Sequence, residues 1–190
     1  MDKELIKGLI AEYQQFVKSV AFVKRAVTLS DNFNYVFVGL RRVGKSYLMY
    51  QQIHHLIETG ISPEEILFFN FEDERIAGMD TEHLDMIKRC YEEMYSHRPI
   101  FFLDEIQIVP HWEQFVRRLA DQKYRVYVTG SNAKMLSKDI ATTLGGRFMI
   151  QYVYPFSFRE YLSSNGVQLD KLWIYKNRSE VVLSLIHISE

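Results

Sequence analysis

The 190-residue sequence has one cysteine, four prolines and no long apolar run, and these shortages exclude several classes of protein. Because a single thiol, Cys90, has no second cysteine in the chain, the fold cannot depend on an intrachain disulfide or on an oxidising compartment. No apolar stretch reaches the roughly 18 to 20 residues that span a bilayer. The first residues, MDKELIKGLIAEYQQF, also lack the apolar core of a signal peptide. These features predict a cytoplasmic protein with no membrane segment.

The chain also has little excess charge. Its 23 basic and 24 acidic residues leave a formal net charge of −1, which does not indicate nucleic acid or an anionic membrane as a partner. Hydrophobic residues make up 47% of the sequence, as is usual for a globular domain with a substantial core. The histidines show no spacing typical of metal ligands, since His54 and His55 are adjacent and face different ways on a helix.

Short apolar runs alternate with helix-length periodic segments from Asn34 onwards. Before that point, apolar residues recur every three or four positions from Leu5 to Val20 and predict an amphipathic N-terminal helix. The predicted strands are 34–39, 65–71, 99–104, 124–130 and 147–153, and the predicted helices between them are 45–59, 80–96, 110–121 and 132–139. Several strands are apolar at nearly every position, which is typical of a parallel sheet covered on both faces. The pattern predicts an α/β doubly wound domain.

A glycine-rich turn follows the first predicted strand. Residues 39–46 read GLRRVGKS and match G-x-x-x-x-G-K-[ST] at every fixed position, between a predicted strand and a predicted helix. Glycines let backbone N–H groups converge on an anion, and the next helix directs its positive end to the same point. Lys45 would reach the β- and γ-phosphates and Ser46 would ligate Mg²⁺. The residues predicted to contact the nucleotide are Gly39, Arg41, Arg42, Val43, Gly44, Lys45, Ser46 and Tyr47. No catalytic role is predicted for Arg41 or Arg42.

Two consecutive carboxylates form the second motif. The string IFFLDEIQ places Asp104 and Glu105 at the end of an apolar strand, on the edge where open α/β sheets bind ligands. Asp104 is suited to hold Mg²⁺, and Glu105 to accept a proton from an attacking water. The next strand ends at Thr129, Ser131 and Asn132, which either orient water near the γ-phosphate or cap the following helix. A carboxylate directly after the metal residue favours hydrolysis over nucleotide binding alone.

These motifs together resemble those of the AAA+ ATPases. The resemblance covers roughly residues 35 to 162 and rests on the strings GLRRVGKSYL, FFNFED, FFLDEIQIVPHWEQFVRRL, VYVTGSNAKML and LGGRFMIQYVYPFSFREYL. More narrowly, the chain resembles a prokaryotic AAA-domain family that carries a C-terminal domain of unknown function. One strand–helix unit separates the glycine-rich turn from the acidic pair. This spacing suits a three-layer P-loop NTPase fold with a five-stranded parallel sheet in the order 5-1-4-3-2. The resemblance implies ATP and Mg²⁺ as cofactors, and hydrolysis coupled to an unknown partner.

The resemblance also implies roles for single residues. The Walker A positions are Gly39, Gly44, Lys45 and Ser46, the Walker B positions are Asp104 and Glu105, and sensor 1 is Asn132 or Ser131. Arg147 falls where AAA+ proteins place an arginine finger for a neighbouring subunit, which implies self-association or a partner protein. The alternative for Arg147 is a structural ion pair. Asn70 falls where these proteins restrain the glutamate, although a polar strand end is common.

Two further segments are expected to be structural. The acidic residues 72–74 are expected to form a solvated turn rather than a metal site. Trp112, Phe115, Val116 and Leu119 lie at helical spacing and indicate core packing rather than a base-stacking surface.

The predicted domain organisation has four parts. Residues 1–33 form an N-terminal helical extension, 34–155 the ATPase core, and 156–182 the beginning of a link to a further region. The last eight residues, LSLIHISE, match a translation of the end sequence of a transposase-based sequencing adapter. We therefore expect 183–190 to be non-native and the chain to be a C-terminally truncated copy of a protein that continues beyond Val182. The alternative is a chance amphipathic octamer.

Two other functions are compatible with these motifs. The first is a nucleotide-gated interaction switch that binds ATP with little turnover. The second, a DNA helicase, is suggested by the Asp-Glu-x-Gln string, but no further helicase motif or basic stripe accompanies it. The preference for ATP over GTP rests on the resemblance, since the sequence has no guanine-reading Asn-Lys-x-Asp string.

Overall fold

A five-stranded parallel sheet lies at the centre of the protein in a computed structural model that describes residues 2–131 and 142–166. The strands are β1 (Asn34–Val38), β2 (Ile66–Asn70), β3 (Ile100–Asp104), β4 (Val126–Gly130) and β5 (Phe148–Tyr152). Their order is β2-β3-β4-β1-β5, which is the predicted order 5-1-4-3-2 counted from the opposite edge. The predicted fold class is confirmed.

The structure gives the bounds of five α-helices among the described residues. They are α1 (Lys3–Ser19), α2 (Lys45–Glu58), α3 (Thr81–Met94), α4 (Trp112–Asp121) and α5 (Phe158–Ser164). Both faces of the sheet are covered, since every residue of β3 and β4 is buried. The helix predicted at 132–139 lies outside the described residues. No helix in the described ranges is long and apolar enough to cross a membrane.

Helix α1 is part of the main hydrophobic core. Asp2 caps it by accepting a hydrogen bond from the Glu4 backbone N–H (3.2 Å), and its apolar stripe packs on β2 and α3. The buried apolar residues of this stripe are Ile6, Leu9, Ile10, Tyr13 and Val17. Each such side chain contributes roughly 1.5 to 3 kcal/mol relative to an exposed position. The predicted N-terminal helix therefore stabilises the same core as the sheet.

Stacked aromatic rings fill the core beside the central strands. The rings of Phe102 on β3 and Tyr127 on β4 lie 4.4 Å apart and nearly parallel. Trp112 on α4 is buried, and so are Phe115, Val116 and Leu119 of the same helix, so their predicted role in core packing is confirmed. Cys90 is a buried free thiol on α3.

The sheet topology decides where the chain presents its polar groups. Strands β3, β4 and β1 are neighbours and run parallel, with Leu103 paired to Val128 and Val38 paired to Gly130. Their carboxyl ends therefore meet at one edge of the sheet. The glycine-rich turn follows β1 at this edge, and the acidic pair lies at the end of β3.

Candidate functional site

Backbone geometry shapes the turn between β1 and α2. Gly44 has φ of 91° and Arg42 has φ of 65°, both in the left-handed region. Gly39 is selected by space instead, because a Cβ there would lie 2.3 Å from the Val153 carbonyl oxygen. No side chain caps α2, so the first N–H groups of this helix are free of side-chain acceptors and can bind an anion.

We expect Gly39→Ala to lower the free energy of unfolding by about 1 to 3 kcal/mol, because the new Cβ must displace the backbone of the strand β5 terminus. Denaturant unfolding measures this change. Gly8→Ala is the matched control: Gly8 lies within α1, a Cβ there meets nothing within 4 Å, and alanine is the better helix former by about 1 kcal/mol. The two substitutions should change stability in opposite directions. Equal stability of Gly39→Ala and the wild type would contradict the steric argument.

Lys45 is folded back over the turn. Its Nζ donates to the Leu40 carbonyl (3.0 Å) and lies 3.5 Å from Oε1 of Glu105. The side chain is only 3% exposed. A buried ammonium group held by one carbonyl and one carboxylate lies where a phosphate could replace either partner.

Asp104 is the most enclosed carboxylate of the site. Its Oδ1 accepts hydrogen bonds from the hydroxyls of Thr129 (2.5 Å) and Ser46 (3.1 Å). Burial raises the pKa of the Asp104 carboxyl to about 6, although these two hydrogen bonds oppose the shift. Thr129 also accepts a bond from the Glu105 backbone N–H (2.8 Å), so it fixes both members of the acidic pair.

The Ser46 hydroxyl and the Asp104 carboxylate suit a Mg²⁺ ion. Both are hard oxygen donors, the class that Mg²⁺ prefers, and they are in hydrogen-bond contact at the mouth of the turn. Residues 2–131 and 142–166 contain no group of three or more His, Cys, Asp or Glu side chains that could hold a metal. An ion here would therefore complete its coordination with phosphate oxygens and water, as Mg²⁺ commonly does.

Glu105 is held in one orientation by two donors. Its backbone lies in the left-handed region, with φ of 53°. Oε2 accepts hydrogen bonds from Gln107 Nε2 (2.5 Å) and Ser131 Oγ (2.9 Å), so Oε1 is left facing Lys45. Oε1 of Gln107 is buried without a hydrogen-bond partner. The orientation of this amide is therefore set by the hydrogen bond from its Nε2 to Glu105. Gln107 is a site residue that the motifs did not predict, although it is the last residue of the Asp-Glu-x-Gln string.

The segment after β2 lies beside the site but does not restrain Glu105 in this structure. Asn70 pairs with Asp104 in register, yet its Oδ1 accepts from the Glu72 backbone N–H (2.9 Å) and closes a turn. The Glu72 carboxylate pairs with exposed Arg41 (3.0 Å), and Asp73 accepts from the Tyr13 hydroxyl (2.5 Å). The acidic turn is thus bound by partners rather than purely solvated. The restraining role of Asn70 stays a prediction.

Arg147 lies at the opposite end of the sheet from the turn. Arg147 directly precedes β5, whereas the turn lies at the edge where the strands end. A five-residue strand makes these two edges of the sheet about 16 Å apart. Its Nε donates to Asp121 Oδ1 (2.5 Å) and its Nη1 to the Gly145 carbonyl (3.2 Å). The structure therefore shows the ion pair within the chain, and the arginine-finger role stays a prediction. Asn132 lies outside the described residues, whereas Ser131 contacts Glu105.

A cavity of about 580 Å³ opens beside the turn. Arg42, Val43, Gly44 and Tyr47 form one wall, at the beginning of α2. Its other walls come from the segment before β1 and the segment after β5, and include Phe22, Val23, Pro155 and Phe156. The size is typical of small-molecule sites, and the lining is mostly apolar and aromatic. The four residues of the first wall were among the predicted nucleotide contacts, whereas the residues from the two flanking segments were not.

Comparison with known proteins agrees with this geometry. An AAA domain family model matches residues 31–162. An uncharacterized protein of Methanocaldococcus jannaschii is 31% identical over 182 residues, which cover 95% of this chain and 40% of that protein. An uncharacterized protein of Haemophilus influenzae is 35% identical over 163 residues, which cover 84% of this chain and 40% of that protein. The chain thus spans about 40% of the length of these curated relatives.

A solved structure shows the same fold. The S. cerevisiae Hsp104-ADP complex aligns with a TM-score of 0.52 at 15% identity, covering 87% of this chain and 26% of that one. This likeness concerns the arrangement of the sheet and helices alone. Because the family model matches well over half of the chain and the sheet has the expected strand order, the protein belongs to the AAA domain family of AAA+ P-loop ATPases.

Proposed function

We propose that the protein binds ATP with Mg²⁺ and hydrolyses it, and that hydrolysis is coupled to a partner interaction. The observation that supports this most is the convergence of Lys45, Asp104 and Glu105 at one sheet edge, each at most 7% exposed. Charged groups are rarely buried together unless they pair or serve a ligand. Here they lie directly beside a helix N-terminus that has no side-chain cap.

Lys45 and the turn would bind the phosphates. On nucleotide binding, the Lys45 ammonium group exchanges the Leu40 carbonyl and the Glu105 carboxylate for phosphate oxygens. The N–H groups at the beginning of α2 bind the same phosphates. Ser46 and Asp104 would hold Mg²⁺, which neutralises phosphate charge when it is bound.

Glu105 would act as the general base through Oε1. Its other oxygen, Oε2, already accepts two hydrogen bonds, from Gln107 and Ser131. Once Lys45 turns toward the phosphates, Oε1 is free to orient a water molecule and accept its proton. Gln107 and Ser131 would keep the carboxylate in position during this step.

The cavity beside the turn would hold the base and ribose of the nucleotide. It adjoins the turn at Val43 and Gly44, and the aromatic rings of Phe22, Tyr47 and Phe156 offer apolar surface for a planar base. Apolar walls can pack against either purine ring, and the proposal of ATP rests on the family resemblance. The comparison of ATP with GTP in one binding assay tests it.

Arg147 is proposed to serve a second copy of the chain or a partner protein. The phosphate-binding turn of the same chain lies at the other end of the sheet from Arg147. Arg147 can therefore stabilise transition-state charge only in the site of a neighbouring molecule. In that role, the Arg147 guanidinium would leave the Asp121 carboxylate and bind a phosphate of the neighbouring molecule.

One observation favours the alternative of a nucleotide-gated switch. Both oxygens of Glu105 have partners in the structure, since Gln107 and Ser131 bind Oε2 and Lys45 lies near Oε1. A base in this state cannot activate water until Lys45 moves. Turnover would then be slow unless a second event, such as partner binding, rearranges these contacts.

We expect Lys45→Met to weaken ATP binding by about 10- to 150-fold, because the variant loses one charged hydrogen bond to the phosphates. Isothermal titration with Mg²⁺-ATP measures the change. Lys18→Met is the matched control, because Lys18 is exposed in the last turn of α1 and contacts no part of the site. Unchanged ATP affinity in Lys45→Met, or the absence of ATP binding by the wild type, would contradict the proposed function.

A further inference from the structure

Arg25 is a buried arginine in the segment between α1 and β1, outside every sequence motif. It is 8% exposed. The Gln51 side chain on α2 fixes its backbone at two points: Oε1 accepts from the Arg25 N–H (2.6 Å) and Nε2 donates to the Arg25 carbonyl (3.1 Å). Arg25 is therefore attached to the helix that follows the phosphate-binding turn.

The Arg25 guanidinium bridges two segments that are far apart in the sequence. Nη1 donates to the carbonyl of Val43, within the turn (3.1 Å). Nε and Nη2 donate to the two carboxylate oxygens of Glu160 on α5 (3.1 and 3.3 Å), and Nη2 also reaches the Pro155 carbonyl (3.4 Å). The Phe156 ring centre lies 5.1 Å from the guanidinium carbon. Every guanidinium partner thus belongs either to the turn or to the segment that contains α5.

Glu160 is a fixed anion within this contact. Its Oε2 accepts hydrogen bonds from the backbone N–H (2.8 Å) and the hydroxyl (2.9 Å) of Ser157, which caps α5. The Arg25 guanidinium, aided by the Ser157 bonds, lowers the pKa of the Glu160 carboxyl to about 2. The side chains of Arg25 and Glu160 are 8% and 14% exposed, so the pair is enclosed. Removing one member of an enclosed, bidentate pair is far more costly than breaking an exposed one.

We propose that Arg25 is a positioning residue that ties α5 to the phosphate-binding turn, so that bound nucleotide fixes α5 in place. This inference rests on the proposed function, since it requires nucleotide in the cavity. Arg25 lines that cavity together with Val43 on one wall and Phe156 on the other. A ligand that orders the turn therefore also orders α5, and by linkage the docking of α5 strengthens nucleotide binding by the same factor.

Hydrogen–deuterium exchange of the whole chain, with and without Mg²⁺-ATP, tests this coupling. In the wild type, ATP should slow exchange at residues 39–47 and, by about 5-fold or more, at residues 155–166. In Arg25→Lys at saturating ATP, residues 39–47 should remain protected while 155–166 should not gain protection. Lysine keeps the charge but cannot make the bidentate bond to Glu160.

Glu160→Gln provides a second variant that keeps α5 intact. Glutamine can retain the capping bond to Ser157 but removes the charge that binds Arg25. We expect it to weaken ATP binding about 5- to 20-fold, with no further loss in the double variant with Arg25→Lys. Arg118→Lys is the matched control, because Arg118 pairs with Asp85 on the surface (2.7 Å), away from the cavity.

The outcomes separate the two proposals. Protection of 39–47 without protection of 155–166 in the wild type would overturn the coupling and leave ATP binding intact. Full wild-type protection of 155–166 in Glu160→Gln would also overturn it, even if Arg25→Lys failed to fold. ATP-induced protection of neither region would overturn the coupling and the proposed function together.

Discussion

Replacing Glu105 with glutamine is expected to lower the rate of ATP hydrolysis by about 10²- to 10⁴-fold while ATP remains bound. Glutamine has the size of glutamate and can still accept hydrogen bonds from Gln107 and Ser131, but its amide cannot take the proton of the attacking water. Phosphate release, measured beside equilibrium ATP binding over a range of protein concentrations, separates loss of chemistry from loss of affinity.

Glu58→Gln is the matched control for this experiment. Glu58 is an exposed carboxylate at the last residue of α2, about 20 Å along the helix from Lys45. Its replacement should leave both turnover and binding unchanged. If the wild type and Glu105→Gln bind ATP tightly but release phosphate at equal and negligible rates, the hydrolysis proposal is wrong and the nucleotide-gated switch is favoured.

Asp104→Asn is expected to make the protein more stable in the absence of nucleotide while it removes Mg²⁺-dependent turnover. The buried Asp104 carboxyl has a pKa of about 6, against 3.8 for an exposed aspartate, because burial disfavours its charge. At a pH above both values, this difference lowers the free energy of unfolding by about 3 kcal/mol. Asparagine has no charge to bury and can still accept the Thr129 and Ser46 hydrogen bonds through Oδ1.

The sign of the pH dependence follows from the direction of this shift. The folded protein holds the Asp104 proton more tightly than the unfolded chain does, so its stability falls as pH rises from about 4 to about 6. The free energy of unfolding of Asp104→Asn should therefore exceed that of the wild type by up to about 3 kcal/mol at pH 8, and by much less at pH 4.5. Chemical unfolding in EDTA at both pH values measures this difference. A variant less stable than the wild type at pH 8 would show that Asp104 stabilises the empty site.

Much of the fold and part of the site could be predicted because the signals are local. A strand, a glycine-rich turn and a helix beginning follow one another in residues 34–58, and a carboxylate pair ends an apolar strand at Asp104. Parallel strands bring such ends to one edge. Hence Lys45, Ser46, Asp104 and Glu105 were expected together, and the structure brings them within hydrogen-bond or ion-pair distance.

The remaining site residues had no local signal. Gln107 binds Glu105 only because the chain after Asp104 takes a left-handed turn at Glu105, and side-chain direction in such a turn does not follow strand or helix periodicity. The cavity combines residues near positions 22, 43 and 155, which meet only after the segment before β1 and the segment after β5 have packed beside the turn. The contact between Asn70 and Glu72 likewise depended on the turn geometry after β2.

The sequence by itself determined the class of fold and the phosphate-binding turn, because repeated strand–helix units and a contiguous motif specify them through backbone geometry. The strand order followed from the resemblance to the P-loop ATPases, and the structure confirms it. The tertiary structure alone decided that Arg25 meets Glu160, 135 residues away, and that the same guanidinium donates to the Val43 carbonyl in the turn. No periodicity or spacing encodes such a pair. It forms because folding brings the segment before β1 between the turn and the segment of α5, where a buried guanidinium finds acceptors from both, at Val43 and at Pro155 and Glu160.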